Sequence, residues 1–401
     1  MAFPMTSRER VLATLNHREP DRIPIDLGGM GSTGIMALAY NGLKQELGLQ
    51  KNATRMLDIS QQLAIPEKEI LELFQVDVIS LESSYLQNDR VWENWKLSDN
   101  SKVEIPAELL PKLVGEEWVL MDGERTKARM PKSCLYFESC NPPLEFATTE
   151  QDIQNYNWNY FSDEYFRALE DKAKQLSEET EYAIMGGFGG SIFEEYQGLR
   201  GYSNAMLDLV ADPNFAESII GKLTEVHLSN LEKYLEAVSK YIQVIQMGDD
   251  LGMQSGPQIS LDLYQAYIKP AHKKIYQYVK NNSELFLFLH SCGSIYDFIP
   301  DLIEAGVDIL NPVQFSAANM DSKNLKEKFG DRITFWGGGV DTQKELPFGT
   351  PDEVADQVEK QMKILSSGGG FVFSAVHNIQ ANTPIENIIK LFETAIKHRE
   401  Y

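Results

Sequence analysis

The feature that most constrains this chain is an alternation. Short, nearly continuous apolar runs are separated by helical segments along most of its 401 residues. Eight runs read as strands: residues 22–27 (RIPIDL), 76–81 (VDVISL), 182–186 (YAIMG), 241–247 (YIQVIQM), 285–290 (LFLFLH), 307–311 (VDILN), 333–337 (ITFWG) and 371–377 (FVFSAVH). Near-continuous apolarity is how parallel strands read when both faces are buried. Helical stretches between them include 213–238, 261–280, 295–305 and 351–365. A doubly wound open sheet uses the same alternation, but eight βα units favour an α/β fold of the closed kind, a (β/α)8 TIM barrel. A short amphipathic helix precedes the first strand. Thr6 or Ser7 can cap it, Glu9 lies near its start, Val11, Leu12 and Leu15 recur at helical spacing, and Pro20 is expected to stop it.

One segment breaks the rhythm. Residues 85–150 contain KLSDNSKVEI, EEWVLMDG and ERTKARM, and the Asp122-Gly123 pair reads as a hairpin turn. This is an antiparallel excursion inserted after the second strand, expected to cover one end of the barrel. Without a linker, repeat or low-complexity tract to divide the chain, residues 1–401 read as a single domain.

Composition narrows the partners. Lys and Arg number 37 and Asp and Glu 59, a formal net charge of −22. Such a chain repels phosphate backbones and anionic membrane surfaces, so neither nucleic acid nor membrane is expected as a partner. No run approaches the ~18 apolar residues of a membrane span. The N-terminus becomes charged within its first ten residues and lacks the apolar core of a signal peptide. Three cysteines, Cys134, Cys140 and Cys292, fit a reducing compartment and a cytoplasmic protein rather than a disulfide-stapled one.

Barrel active sites lie at the C-terminal ends of the strands. The fifth predicted strand ends in His290-Ser291-Cys292-Gly293. In extended backbone His290 and Cys292 point to the same side, and an imidazole beside a thiolate suits zinc. The eighth ends in His377-Asn378. If its end faces that of the fifth, then His290, Cys292 and His377 give three ligands and leave one position open, as catalytic zinc sites do. A lone His-x-Cys is also compatible with two core residues. The fourth strand leads into Gly248-Asp249-Asp250-Leu251-Gly252, where a carboxylate can serve as ligand, base or hydrogen-bond acceptor, or merely cap a turn. The third leads into GGFGGSIFEEYQGLRG, whose glycines permit close approach of a ligand or serve a tight turn, with Glu194 and Glu195 following. No GxxxxGK[ST] is present, which excludes a P-loop. Gly337-Gly338-Gly339 follows the seventh strand, where it can approach a ligand, whereas Gly368-Gly369-Gly370 precedes the eighth and reads as a connection.

TSRERVLATLNHREPDRIPID at the N-terminus, GDDLGMQSGPQIS, HSCGSIYDFIPDLIEAGVDILNPVQ, FGDRITFWGGGVDTQ and the closing TPIENIIKLFETA together resemble the uroporphyrinogen decarboxylase superfamily over essentially the whole chain. The resemblance implies a TIM barrel. Its decarboxylases carry an arginine motif after the first strand and an Asp shortly after the second. This chain has DLGGMGSTGIMAL and Leu81-Glu82-Ser83-Ser84 at those places. The resemblance is closer to the cobalamin-linked methyltransferases, whose zinc signature is His-x-Cys plus a third ligand, usually Cys, before a TP-x-EN motif. His290 and Cys292 match the first part, and His377, seven residues before Pro384, stands where that Cys falls. What this implies is methyl transfer between a small donor or acceptor and the cobalt of a corrinoid. No D-x-H-x-x-G corrinoid motif is present, so a separate corrinoid protein would carry the cobalamin. Asp249, Asp250 and Glu194 are then the candidate catalytic groups, and Gln254, Asn311, Gln314 and Asn378 the candidate substrate contacts. The alternatives are a tetrapyrrole decarboxylase and a barrel that binds a tetrapyrrole or corrinoid protein without catalysis.

Overall fold

A computed structural model describes residues 4–86, 90–158 and 161–401. Seven parallel strands follow one another in chain order around a curled sheet: Val78–Ser80, Ala183–Gly189, Val244–Gly248, Phe286–His290, Ile309–Asn311, Thr334–Trp336 and Phe371–Val372. The eighth place belongs to the 22–27 segment, which is not a full strand. Ile25 forms a single parallel bridge to Phe373. Backbone bonds run from Asp26 N to Phe373 O (2.8 Å), from Phe373 N to Pro24 O (2.9 Å) and from Asp77 N to Ile25 O (2.8 Å). This segment therefore joins the first and last named strands, and the fold is a TIM-type α/β barrel. Pro24 has no N–H to give a ladder, which keeps the pairing short.

Inside the barrel, Val78, Ala183, Met185, Val244, Phe288, Ile309, Trp336 and Val372 form one buried cluster with Val11 and Leu15 of the first helix. That helix, Ser7–Leu15, thus plugs the N-terminal end. Each fully buried side chain of this size contributes about 1.5–3 kcal/mol. Thr6 and Glu9 make a capping box at its start. Its end comes before Pro20, at Asn16, because His17 turns into the left-handed region (φ 52°).

The helices Pro213–Val238 and Pro351–Leu365 start where their caps dictate. Asp212 and Thr350 accept from the first-turn N–H groups, and a proline occupies the first helical position, where its missing donor costs nothing. The 261–280 stretch is broken instead. Leu261–Leu263 passes through a π-turn, Tyr264–Ile268, into Lys269–Asn282. Pro270 cannot donate, and its ring displaces the preceding carbonyl ladder.

The excursion is larger than expected and only partly antiparallel. Its hairpin pairs Glu117–Asp122 with Arg125–Pro131 around Gly123 (φ 60°). A second small sheet recruits residues from before the second predicted strand. Thr54–Asp58 pairs in parallel with Lys102–Pro106 and antiparallel with Leu63–Ala64. These strands alternate buried and half-buried residues over so few positions that their pattern is not distinctive. The excursion does reach the C-terminal end of the barrel, where the Tyr136 hydroxyl bonds Gln380 on the loop after the last strand. No helix of the described residues is long and apolar enough to cross a membrane.

Candidate metal centre at the barrel mouth

Strand periodicity determines what enters the mouth. Phe288 packs in the barrel interior, so His290, two residues on, faces the same way at the rim. Cys292 follows on the loop and His377 on the loop after the last strand. Nitrogen and sulfur atoms of His290, Cys292 and His377 all lie within 4.8 Å of one another. Cys292 Sγ is 3.3 Å from His290 Nε2. Two ligands of a tetrahedral zinc with bonds of 2.0–2.3 Å stand about 3.5 Å apart, so this separation fits.

The surroundings prepare the ligands. His290 Nδ1 lies 2.6 Å from Asn311 Oδ1, and Asn311 Nδ2 donates to Trp336 O at 2.8 Å. The amide's second bond turns its oxygen toward the ring, so Nδ1 donates to it and Nε2 is the nitrogen that faces the cluster. Burial, then the neighbouring His290, pulls His377 down to about 4, so its ring is neutral near pH 7. Burial, then Asp250 and Glu194, pushes the Cys292 thiol well up. Glu194 is an exposed residue at the rim. Desolvation there, then Asp249 and Asp250, raises it to about 8. No lysine or arginine is among the groups acting on Cys292 or Glu194. A bound dication would supply the missing positive charge and hold the thiolate.

The loop carrying Cys292 is locked by close backbone contact. Gly293 has φ +82°, and a side chain on it would meet Gly252 C at 2.5 Å, while one on Gly252 would meet Cys292 O at 2.6 Å. Only glycine permits the two loops to touch there. Asp250 Oδ1 accepts from Cys292 N at 2.7 Å and stands 3.8 Å from His290 Nε2.

The other candidates divide. Asp249 is fully buried and does not reach the mouth. Its oxygens accept from Ile192 N (3.1 Å), Phe193 N (2.8 Å) and Glu194 N (2.8 Å), and His272 Nε2 is 2.8 Å away. It anchors the start of the helix Phe193–Arg200 and so positions Glu194 instead of meeting a ligand. Asn311, expected as a substrate contact, is fully buried behind His290. Gln314 and Gln254 bond each other at 2.9 Å, and Gln314 Oε1 accepts from Gly293 N at 2.8 Å, a brace for the same loop. Asn378 is buried and bonds Gln61 Oε1 at 2.8 Å. The Gly337–Gly339 run packs against Asn311, Val313 and Phe373, not an open space. Ser32, whose Oγ lies 3.3 Å from His290 Nε2, was missed. Its only signal is a serine in the glycine-rich turn after the first predicted strand. In the sequence Glu82 stands out only as a departure from the decarboxylase pattern.

Comparisons with known proteins agree with this architecture. The family described as Uroporphyrinogen decarboxylase (URO-D) matches residues 141–398. Among relatives, "Uroporphyrinogen decarboxylase" of Pelodictyon phaeoclathratiforme is 23% identical over 218 residues, 53% of this chain and 54% of that protein. The protein of the same name from Synechocystis sp. is 24% identical over 178 residues, 42% of this chain and 47% of its own. These matches span about half the length of each relative. A solved "methyltransferase from Methanosarcina mazei" shares the fold, with a TM-score of 0.59 and 18% identity over 98% of this chain and 99% of that one.

Proposed function

Since the chain belongs to the uroporphyrinogen decarboxylase family, we propose that it is a zinc-dependent methyltransferase. It would move a methyl group between a small donor or acceptor, such as a methyl ether or a thiol, and the cobalt of a corrinoid on a separate protein. The observation that carries this reading is the convergence of one thiol and two imidazoles at the mouth. Zinc held there supplies Lewis acidity, lowering a thiol's pKa or polarising an ether oxygen. His290 and His377 would offer ring nitrogens, Cys292 the thiolate, and Asn311 fixes the His290 ring. Asp250 orients the Cys292 loop and borders the open position. Glu194, protonated near neutral pH, can give or take a proton at the edge of the site. The whole-length likeness in fold to a methyltransferase is consistent with this reading.

The names of the sequence relatives favour a second reading, a tetrapyrrole decarboxylase. Against it, the turn after the first predicted strand has no arginine to hold a polycarboxylate, and Glu194 and Asp250 line the mouth. The separating experiment incubates the zinc-loaded protein with methylcobalamin and a thiol, with cob(I)alamin and methyl ethers, and with uroporphyrinogen. Methyl transfer to or from cobalt, lost in Cys292→Ser, is expected. Conversion of uroporphyrinogen without methyl transfer would replace the first reading with the second.

A further inference from the structure

The glycine-rich turn after the first barrel segment enters the mouth, and the chemistry above does not use it. Gly31–Thr33 makes one 3-10 turn, and Gly28 N donates to Thr33 O at 3.0 Å. Ile379 N donates to Gly34 O and Met36 N to Ile379 O, each at 2.9 Å. These bonds tie the turn to the loop that carries His377. Ser32 sits on the turn, only 8% exposed, with its Oγ 3.3 Å from His290 Nε2. That contact is the hydroxyl's one hydrogen bond among the described residues.

A closed circuit of buried side chains fixes this approach. Asp26 Oδ1 accepts from Gly29 N and Oδ2 from Trp336 Nε1, both at 2.8 Å. Trp336 O accepts from Asn311 Nδ2 at 2.8 Å, and Asn311 Oδ1 lies 2.6 Å from His290 Nδ1. Ser32, on the same turn as Gly29, closes the circuit at Nε2. Asp26, Trp336 and Asn311 are all buried, so solvent does not compete for these bonds. Gly29 admits the Asp26 carboxylate by having no side chain, since a Cβ there would meet Oδ1 at 2.8 Å. Both ring nitrogens of His290 are thus held by one frame.

Nε2 is also the His290 nitrogen that faces the triad, and Cys292 Sγ stands at the same 3.3 Å from it. Once a metal takes Nε2, the Ser32 hydroxyl loses its partner while the frame that holds it stays in place. Serine is not among the usual zinc ligands, which are thiolates, imidazoles and carboxylates. A buried hydroxyl left unpaired is costly, so it turns to the next acceptor within reach. With three protein ligands in place, the group in the fourth position is the acceptor that the protein does not itself supply.

We propose that Ser32 is the hydrogen-bond donor to the atom that fills the open metal position. It favours a bound atom that keeps a second lone pair over one that has none left. The proposal rests on the reading of the triad as a metal centre.

The test loads the full chain with cobalt(II) and titrates it with azide and with imidazole, following the visible spectrum. The ligating nitrogen of azide keeps a lone pair for Ser32, and that of imidazole does not. Ser32→Ala, checked for folding by circular dichroism, should bind azide about 2- to 10-fold more weakly than the wild type, with its affinities for imidazole and for cobalt unchanged. Equal weakening of both probes would mark a role in the shape of the mouth and overturn the donor role. Unchanged azide affinity in Ser32→Ala, or a wild type that binds imidazole but not azide, would also overturn it. A loss of cobalt affinity of tenfold or more in Ser32→Ala would make the hydroxyl itself a ligand and overturn it as well. A wild type that takes up no cobalt would overturn the metal reading and this role together. Cobalt uptake with azide binding independent of Ser32 would overturn this role alone.

Discussion

The two ends of the barrel treat their carboxylates in opposite ways. At the N-terminal end, Asp77 is fully buried and surrounded by donors. Arg10 Nη1 lies 2.7 Å away, Arg22 reaches both oxygens at 2.7 and 2.8 Å, and Ser7 Oγ (2.7 Å) and Ile25 N (2.9 Å) complete the shell. Two guanidinium groups balance its charge. At the C-terminal end, half-buried Glu82 and the more exposed Glu194 have no such cation, and desolvation of the carboxyl raises both toward or above neutrality. The first arrangement is complete as it stands and ties the first helix to the sheet. The second is short of positive charge, which a dication at the triad would supply. Saturation by fixed partners marks structure, and an unmet electrostatic demand marks a place for a ligand.

The largest expected effect sharpens the C-terminal side. Cys292→Ser should reduce zinc from one equivalent to less than about a tenth while the fold and denaturation midpoint stay near those of the metal-free wild type, as measured by elemental analysis and urea melts. A mutant that keeps its zinc would break the assignment. Next, Asp77→Ala leaves Arg22 without its carboxylate and Arg10 with Asp21 alone, and should cost about 3–5 kcal/mol in urea unfolding. If it costs under about 1 kcal/mol, the N-terminal cluster is not the anchor described.

Smaller again, Asn311→Ala frees the His290 ring and should weaken zinc about 10- to 100-fold in competition with a chelator. Unchanged affinity would remove Asn311 from the account. The smallest effect concerns pH. Glu82 is raised from 4.5 to about 7, so the wild type gains from it below about 4.5 and loses that gain as pH rises through about 7. Glu82→Gln does not ionise. Its stability relative to wild type should therefore rise between those limits, read from urea midpoints at several pH values. A constant difference would contradict the buried, protonated carboxyl.

Much of this was legible in the sequence where local chemistry decides. Pro213–Val238 and Pro351–Leu365 have their caps and prolines written in them, and His290 with Cys292 needed only the period of two. The same period also separates the adjacent acids. Val244, Gln246, Gly248 and Asp250 alternate inward, which turns Asp249 outward to the helix Phe193–Arg200. Reading both as site residues overlooked that. Asn311 was legible as a strand-end polar residue but not as the partner of His290, because its role depends on a cross-strand pairing, His290 with Asn311, that one sequence does not carry. The Thr54–Asp58 strand failed for a similar reason: its partner, Lys102–Pro106, lies far along the chain.

The most direct measurement is the metal content of the purified full chain, followed by cobalt(II) substitution. One equivalent of zinc, replaceable by cobalt with the charge-transfer absorption of a thiolate ligand that vanishes in Cys292→Ser, is the predicted result. Less than about a tenth of an equivalent, with no metal taken up on addition and no change on replacing His290, Cys292 or His377, would contradict the account.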